Sequence, residues 1–298
     1  MSIASQAIEL ARTSELLCIV GPTASGKTEL AFEVCDAVGG EIISADSVQI
    51  YRGFDIGSGK PTPEERARAP HHLIDTHDPN EAMDAAEFAR RAELAITDVR
   101  ARGKVPIVVG GTFFWVRSLT LGLVEAPAAD ADVRARHKEL AEAQGRPALH
   151  AELAKVDPES AARLHPNDFV RVSRALEVYE LSGRTMTSFQ TEHGFKAKRF
   201  DAHLLGREHD TAALTTRIAA RVDAFLAGGW LDEVRDLIAA GHGESRAMGS
   251  VGYAEVRAHL ENKLPREELR DAIVRSTRVF ARKQRTWLGH AEVTWLKE

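Results

Sequence analysis

The sequence predicts an α/β fold: a P-loop core, with a parallel sheet flanked by helices around a phosphate-binding loop, plus an all-helical insertion domain. Three observations predict it. The apolar run Leu16 to Val20 is followed by Gly21-Pro22-Thr23-Ala24-Ser25-Gly26-Lys27-Thr28 and then by a helical pattern, Glu29 to Val38. Strand, glycine loop and helix in that order are what a phosphate cradle requires. Val105-Pro106-Ile107-Val108-Val109 is the clearest further buried strand, short and apolar throughout. From Glu125 to about Phe200 such runs stop, and charged amphipathic helices take over. The expected organisation is a first part of the core at 1–124, a helical insertion at 125–200, and a second part of the core at 201–298 ending in a basic helix.

Each element has its own signal. Gly39-Gly40 end the first helix, and Glu41 to Ala45 reads as a second buried strand with Asp46 at its carboxyl end. Arg52 to Lys60 is polar and broken by glycines, a substrate-facing loop. Glu64 to Ala69 forms a short helix and Pro70 to Asp75 a short strand. His71 and His72 point to opposite faces of such a strand, which argues against a shared metal ion. Asp84-Ala85-Ala86-Glu87 is a capping box that opens a helix ended by Gly103. The strand at Val105 runs into Gly110-Gly111-Thr112 and a helix from Phe113 to Leu121. The insertion holds helices at Asp130 to Gln144, Pro147 to Val156, Pro158 to Leu164 and Asp168 to Leu181. Asp201 to Leu205 is the return strand. Helices follow at Thr211 to Ala227, Trp230 to Ala240, Val251 to Glu261 and Pro265 to about Trp287, and Val293 to Leu296 is a last edge strand.

Composition narrows the function. The net charge of −5 over 298 residues predicts no whole-molecule attraction to nucleic acid, so any such binding needs a local patch. Cys18 and Cys35 read as small core residues in a reducing compartment. Met1 to Ser14 has no apolar core with a cleavage site, and no run approaches the ~20 apolar residues of a membrane span. A cytoplasmic protein with no membrane contact is expected.

The chemistry concentrates at strand ends. In the loop Gly21 to Thr28, backbone N–H groups and a helix N-terminus would face an anion, Lys27 would add a point charge, and the Thr28 hydroxyl could hold Mg²⁺ beside a polyphosphate. Asp46 stands where open α/β sheets bind ligands, although a turn or helix cap is the plain alternative. The strand at Val105 ends in Gly-Gly-Thr and not in the metal-holding acid of an ordinary ATPase, and no guanine-reading Asn-Lys-x-Asp occurs. Its two glycines would let a ligand approach the backbone.

Several stretches together resemble the bacterial tRNA dimethylallyltransferase (tRNA isopentenyltransferase) family. They are the loop at Gly21, Ile43-Ser44-Ala45-Asp46-Ser47 with Ile50-Tyr51, Asp55-Ile56-Gly57 with Lys60-Pro61, Pro70 to Asp75, and Val109-Gly110-Gly111-Thr112. The later ones are His165 to Asp168, Ser173 to Val178, Val251-Gly252-Tyr253 and Arg282-Lys283-Gln284-Arg285-Thr286-Trp287. The resemblance implies transfer of the dimethylallyl group from dimethylallyl diphosphate to the exocyclic amine (N6) of the adenosine 3′ of the anticodon, with diphosphate released. It implies Asp46 as general base and Thr112 as an active-site hydroxyl. Diphosphate binding falls on Gly21, Pro22, Thr23, Ala24, Ser25, Gly26, Lys27 and Thr28, and on Arg217 and Arg221. Contacts to the anticodon arm fall on Ser47, Val48 and Gln49, on Val170, Arg171, Val172, Ser173 and Arg174, and on Arg282 to Trp287. The family's usual tyrosine after Gly-Gly-Thr is Trp115 here, its Thr-Ala before Lys-Pro is Ser58-Gly59, and basic residues near Val-Gly-Tyr are Gly249 and Ala254. A monomer is expected.

The C-terminal helix carries Arg275, Arg278, Arg282 and Arg285 at spacings of three and four, hence on one face. Lys283 flanks them, and Asp271 is the only acid between Arg270 and Arg285. Either a solvated basic face or a grip on RNA phosphates fits this run. A P-loop small-molecule or nucleoside kinase, a prenyltransferase acting on free adenine nucleotide and a non-catalytic RNA-binding regulator are the competing readings.

Overall fold

The structure, a computed structural model, describes residues 2–194 and 198–297. It divides into two compact units, one of Met1–Thr120 with Arg199–Glu298 and the other of Leu121–Lys198. In chain order the first unit begins with α1 (Ile3–Thr13), β1 (Leu16–Val20), α2 (Lys27–Val38), β2 (Gly40–Ser44), α3 (Pro63–Arg68), β3 (His71–His72), α4 (Ala85–Ala101), β4 (Val105–Gly110) and α5 (Phe113–Leu121). The second unit holds α6 (Ala131–Gln144), α7 (Arg146–Val156), α8 (Pro158–Arg163), α9 (Phe169–Ser182) and α10 (Met186–His193). The first unit then resumes with β5 (Ala202–Arg207), α11 (Thr211–Ala227), α12 (Trp230–Ala239), α13 (Tyr253–Leu260), α14 (Arg266–Leu288) and β6 (Val293–Leu296).

All the strand pairs are parallel, in the order β3-β2-β4-β1-β5-β6. A parallel sheet is covered on both faces, so its strands are apolar without alternation. Every residue of β1 is buried accordingly. Leu17 and Ile19 pack with Leu30, Phe32 and Val34 of α2, with Ile107 and Val109 of β4, and with Ala7 and Ala11 of α1. Fully burying a side chain such as Ile19 is worth about 1.5–3 kcal/mol. Trp115 is also buried, outside that cluster. It is 6% exposed and stacks on Phe88 at 4.6 Å, so this departure from the family lies in the core and not at the sheet edge.

In the all-helical unit, Leu149, Leu153, Ala161, Val172, Ala175 and Leu176 form the core. Glu177 is completely buried there, and Arg134 and Arg174 hold its carboxylate below the usual range against the desolvation that raises it. The histidine pair on β3 has separate partners. His71 Nδ1 meets the Ala69 carbonyl at 2.7 Å and His72 Nε2 meets Glu41 at 2.7 Å. Among the described residues, no helix is long and apolar enough to cross a membrane.

Candidate active site

Strand register assembles the site. Ser44 of β2 pairs with Val109 of β4, and Gly110 of β4 pairs with Val20 of β1. The residues that follow therefore emerge side by side: the glycine loop after β1, Asp46 after β2 and Gly111-Thr112 after β4. This is the carboxyl edge, where parallel sheets bind ligands. A cavity of about 400 Å³ opens there. Lys27, Thr28, Asp46, Thr112 and Arg221 give it a polar side, while Phe225, Trp230, Tyr253, Ile273 and Phe280 give it apolar and aromatic walls.

The loop is built for an anion. Gly26 has φ +75°, a left-handed conformation that glycine adopts without strain. A Cβ at that position would come within 3.0 Å of guanidinium nitrogens of both Arg207 and Arg217, so these cations border the loop directly. Lys27 Nζ donates to the Pro22 carbonyl at 3.0 Å, which curls the loop back on itself. Burial pushes the Lys27 ammonium down to about 8; Asp46 and Glu29 oppose that shift and Arg221 adds to it. Burial likewise lowers Arg221, against Asp46 and Glu29, while its guanidinium donates to the Ser58 carbonyl at 3.2 Å and lies over Phe225. The Ser25 hydroxyl is buried without a hydrogen-bond partner among the described residues. A phosphate oxygen in the loop would satisfy it. The same residues fit a magnesium ion that arrives with a diphosphate. Thr28 is exposed and lines the cavity, and a hydroxyl plus phosphate oxygens is a usual Mg²⁺ environment.

Asp46 and Thr112 meet across the sheet edge. Asp46 Oδ1 accepts the N–H groups of Val48 at 2.9 Å and Gln49 at 3.3 Å, so the turn reading is correct as a description of one oxygen. Oδ2 has no hydrogen-bond partner among the described residues. Thr112 Oγ1 accepts the Ser47 N–H at 3.1 Å and donates to Ser47 Oγ at 3.3 Å. Its hydroxyl thus ties the Asp46 turn to β4 and does not serve as a cap of α5. Removing such a bond costs about 1 kcal/mol. Thr112→Ala is expected to lower turnover about five- to tenfold, with Thr112→Ser restoring it. Equal turnover in all three proteins would leave the bond without a part in the chemistry.

Gly110, which ends β4, and Gly111, which follows it, each have a close neighbour within the protein. A Cβ on Gly110 would sit 2.1 Å from the Ala45 carbonyl oxygen, and one on Gly111 would sit 2.4 Å from Gln284 Nε2. Part of the space they leave is filled by the protein itself, and both residues also line the cavity. Gln284, expected at the RNA surface, is 8% exposed and faces this edge. Gln49 is also committed internally: its Nε2 donates to the Ser58 and Gly59 carbonyls, and its Oε1 accepts from Ser44.

The remaining RNA expectations divide by helical face. On α9, Val170 is exposed and Arg171 pairs with Asp168 at 2.6 Å. Val172 and Ser173 are buried, Ser173 bonding His137 at 2.9 Å, and Arg174 is held by Glu177 and the Pro127 carbonyl. A helix turns 100° per residue, so five consecutive residues cannot share one outward face. On α14, by contrast, Arg275, Arg278, Arg282 and Arg285 together line a second cleft of about 370 Å³ with Thr211, Thr215 and Ile218 of α11. Lys283 is exposed beside them, Trp287 is 48% exposed, and the Thr286 hydroxyl bonds back to the Arg282 carbonyl.

Some functional neighbours escape a sequence reading. His209 bonds the Ser25 carbonyl at 2.6 Å and Arg207 borders Gly26; both follow or end β5, the position rule that singled out Asp46. Glu233 accepts the N–H groups of Asp55, Ile56 and Gly57 and the Tyr253 hydroxyl, clamping the cavity wall from α12.

A family model described as IPP transferase matches residues 49–291. The chain is similar to the tRNA dimethylallyltransferase of Sorangium cellulosum, with 62% identity over 95% of this chain and 90% of that protein. The tRNA dimethylallyltransferase of Anaeromyxobacter dehalogenans (strain 2CP-C) is 50% identical over 94% of each. Among solved structures, the tRNA isopentenylpyrophosphate transferase of Bacillus halodurans matches with a TM-score of 0.70 and 36% identity, over 96% of this chain and 90% of that one. A eukaryotic dimethylallyltransferase crystallised acting on tRNA matches with a TM-score of 0.81 and 27% identity, over 96% of this chain and 74% of that one.

Proposed function

The chain belongs to the IPP transferase family, and on that premise we propose the reaction in full. It transfers a dimethylallyl group to tRNA. The donor is dimethylallyl diphosphate, the acceptor is N6 of the adenosine 3′ of the anticodon, and diphosphate leaves. One observation carries this reading: a single cavity joins a cation-bordered phosphate loop, an acid with a free oxygen, and an apolar aromatic wall. A diphosphate bearing a short branched alkenyl chain needs the first and the last, and the amine needs the acid.

The bond between the allylic carbon and the diphosphate oxygen breaks as the bond to N6 forms. Charge grows on the leaving diphosphate, where Lys27, Arg217, Arg221 and the loop N–H groups stabilise it most as it develops. The N6 proton passes to Asp46. The adenine amine is a weak nucleophile, so removing that proton during attack is useful. Magnesium held by Thr28 would add positive charge to the same phosphates. The target base must leave its stack to enter the cavity. The tRNA substrate supports a cytoplasmic location. Incubation with tRNA and either dimethylallyl diphosphate or ATP separates this reading from a kinase. Diphosphate release that requires tRNA is expected; ADP release with the allylic donor unused would overturn it.

The arginine cleft beside α14 is the phosphate grip for the anticodon arm. None of Arg275, Arg278 and Arg282 has an ion-pair partner among the described residues, unlike Arg270, which is tied to Asp223 and Asp271. Replacing Arg282 and Arg285 together by Gln is expected to weaken tRNA binding with donor affinity unchanged. The salt dependence of log K should flatten by about 0.7 to 0.9 per lost phosphate contact. An unchanged slope and affinity would return this face to ordinary solvation.

A further inference from the structure

The Gln284 side chain spans the two loops that must be held at a fixed separation for transfer. Its Oε1 accepts the Thr23 N–H of the phosphate loop at 2.9 Å, and its Nε2 donates to the Gly111 carbonyl at 3.0 Å. Gly111 is followed by Thr112, whose hydroxyl holds Ser47 next to Asp46. The bridge thus runs from the donor side of the cavity to the acid side through one buried amide. Its chemistry is specific. A single side chain must accept from an N–H and donate to a carbonyl; carboxylates cannot donate, and ammonium or guanidinium groups cannot accept. The absence of a Cβ on Gly111 admits the amide at this distance. Gln284 lies between Arg282 and Arg285 in sequence but on the other face of α14: it is buried while they are exposed.

We infer that Gln284 is a positioning residue of the transfer reaction, setting the separation between the phosphate loop and the Asp46–Thr112 edge, and is not an RNA contact. The inference rests on the reaction proposed above. Reaction rates fall steeply when reacting groups are displaced by even an ångström, so the effect belongs in kcat.

The test compares Gln284→Met, which keeps the length and loses both bonds, with Gln284→Glu, which keeps the acceptor for Thr23 and loses the donor to Gly111. Wild-type protein is assayed alongside with dimethylallyl diphosphate and tRNA. Gln284→Met should lower kcat about thirtyfold, roughly two net hydrogen bonds, with tRNA Kd and Tm close to wild type. Gln284→Glu should retain more loop order, read as slow hydrogen exchange at the Thr23 amide, which is also expected in the wild-type protein. Weakened tRNA binding with kcat intact would make Gln284 an RNA contact and overturn the inference. Parallel loss of kcat and Tm in both variants would make it structural only. If neither variant folds, rapid exchange at Thr23 in the wild type overturns the bridge by itself. Absence of transfer by the wild type would instead count against the proposed reaction.

Discussion

Asp46→Asn is expected to lose about 10²- to 10⁴-fold in turnover, the usual range for a general base, while keeping the fold and donor binding. The asparagine carbonyl oxygen can still accept the Val48 and Gln49 N–H groups, so the turn after β2 survives. What the amide cannot do is take the N6 proton. One side effect must be controlled. The Asp46 charge raises Lys27 against the burial that lowers it. Its removal therefore lowers Lys27 further, and the comparison belongs well below pH 8, where Lys27 is charged in both proteins. Near-wild-type turnover there would remove Asp46 from the proton transfer.

Lys27→Ala is the second large effect, a loss of about 10²- to 10³-fold in kcat/KM, on the scale of deleting one donor to a developing oxyanion. Two contributions act together. The ammonium is a charge next to the diphosphate, and its bond to the Pro22 carbonyl shapes the loop. The pH dependence has a definite sign. Lys27 titrates at about 8 in the free protein because burial disfavours its charge. A bound diphosphate favours the charged form, so binding above that pH takes up a proton. Donor affinity should fall as pH rises through about 8, and calorimetry in buffers of different ionisation enthalpy should show the uptake. A flat pH profile with no proton uptake, or wild-type kinetics in Lys27→Ala, would separate the loop from donor binding. Thr28→Ala should raise the Mg²⁺ concentration needed for half-maximal rate, which tests the metal assignment independently.

The parts of this molecule that the sequence made legible are those whose physics is local. A buried parallel strand is apolar at every position, so Leu16–Val20 and Val105–Val109 announced themselves, and the residue after such a strand belongs to a ligand-binding edge. That rule located Asp46 and Thr112. Applied to β5 it would have located Arg207 and His209, but β5 is less continuously buried and its apolar signal is weaker. Helix α1 was locally legible too, with Ile3, Ala7, Ile8 and Ala11 on one side and Ser2 capping its start, although it is missing from the elements expected above. Long-range contacts left no local trace. Thr23 and Gln284 are 261 residues apart, and nothing in the run Arg282 to Trp287 distinguishes the inward glutamine from its outward neighbours. The same limit applies to α9, where a segment read as one RNA contact is split by helical period into an exposed edge and a buried one.

Mass analysis of nucleosides from bulk tRNA treated with the protein and dimethylallyl diphosphate bears most directly on the proposed reaction. A new adenosine carrying one dimethylallyl group on N6 is expected, located 3′ of the anticodon by nuclease mapping, and lost with Asp46→Asn. Unmodified tRNA after treatment with folded, donor-binding protein, or modification of a free nucleotide in preference to tRNA, would contradict it.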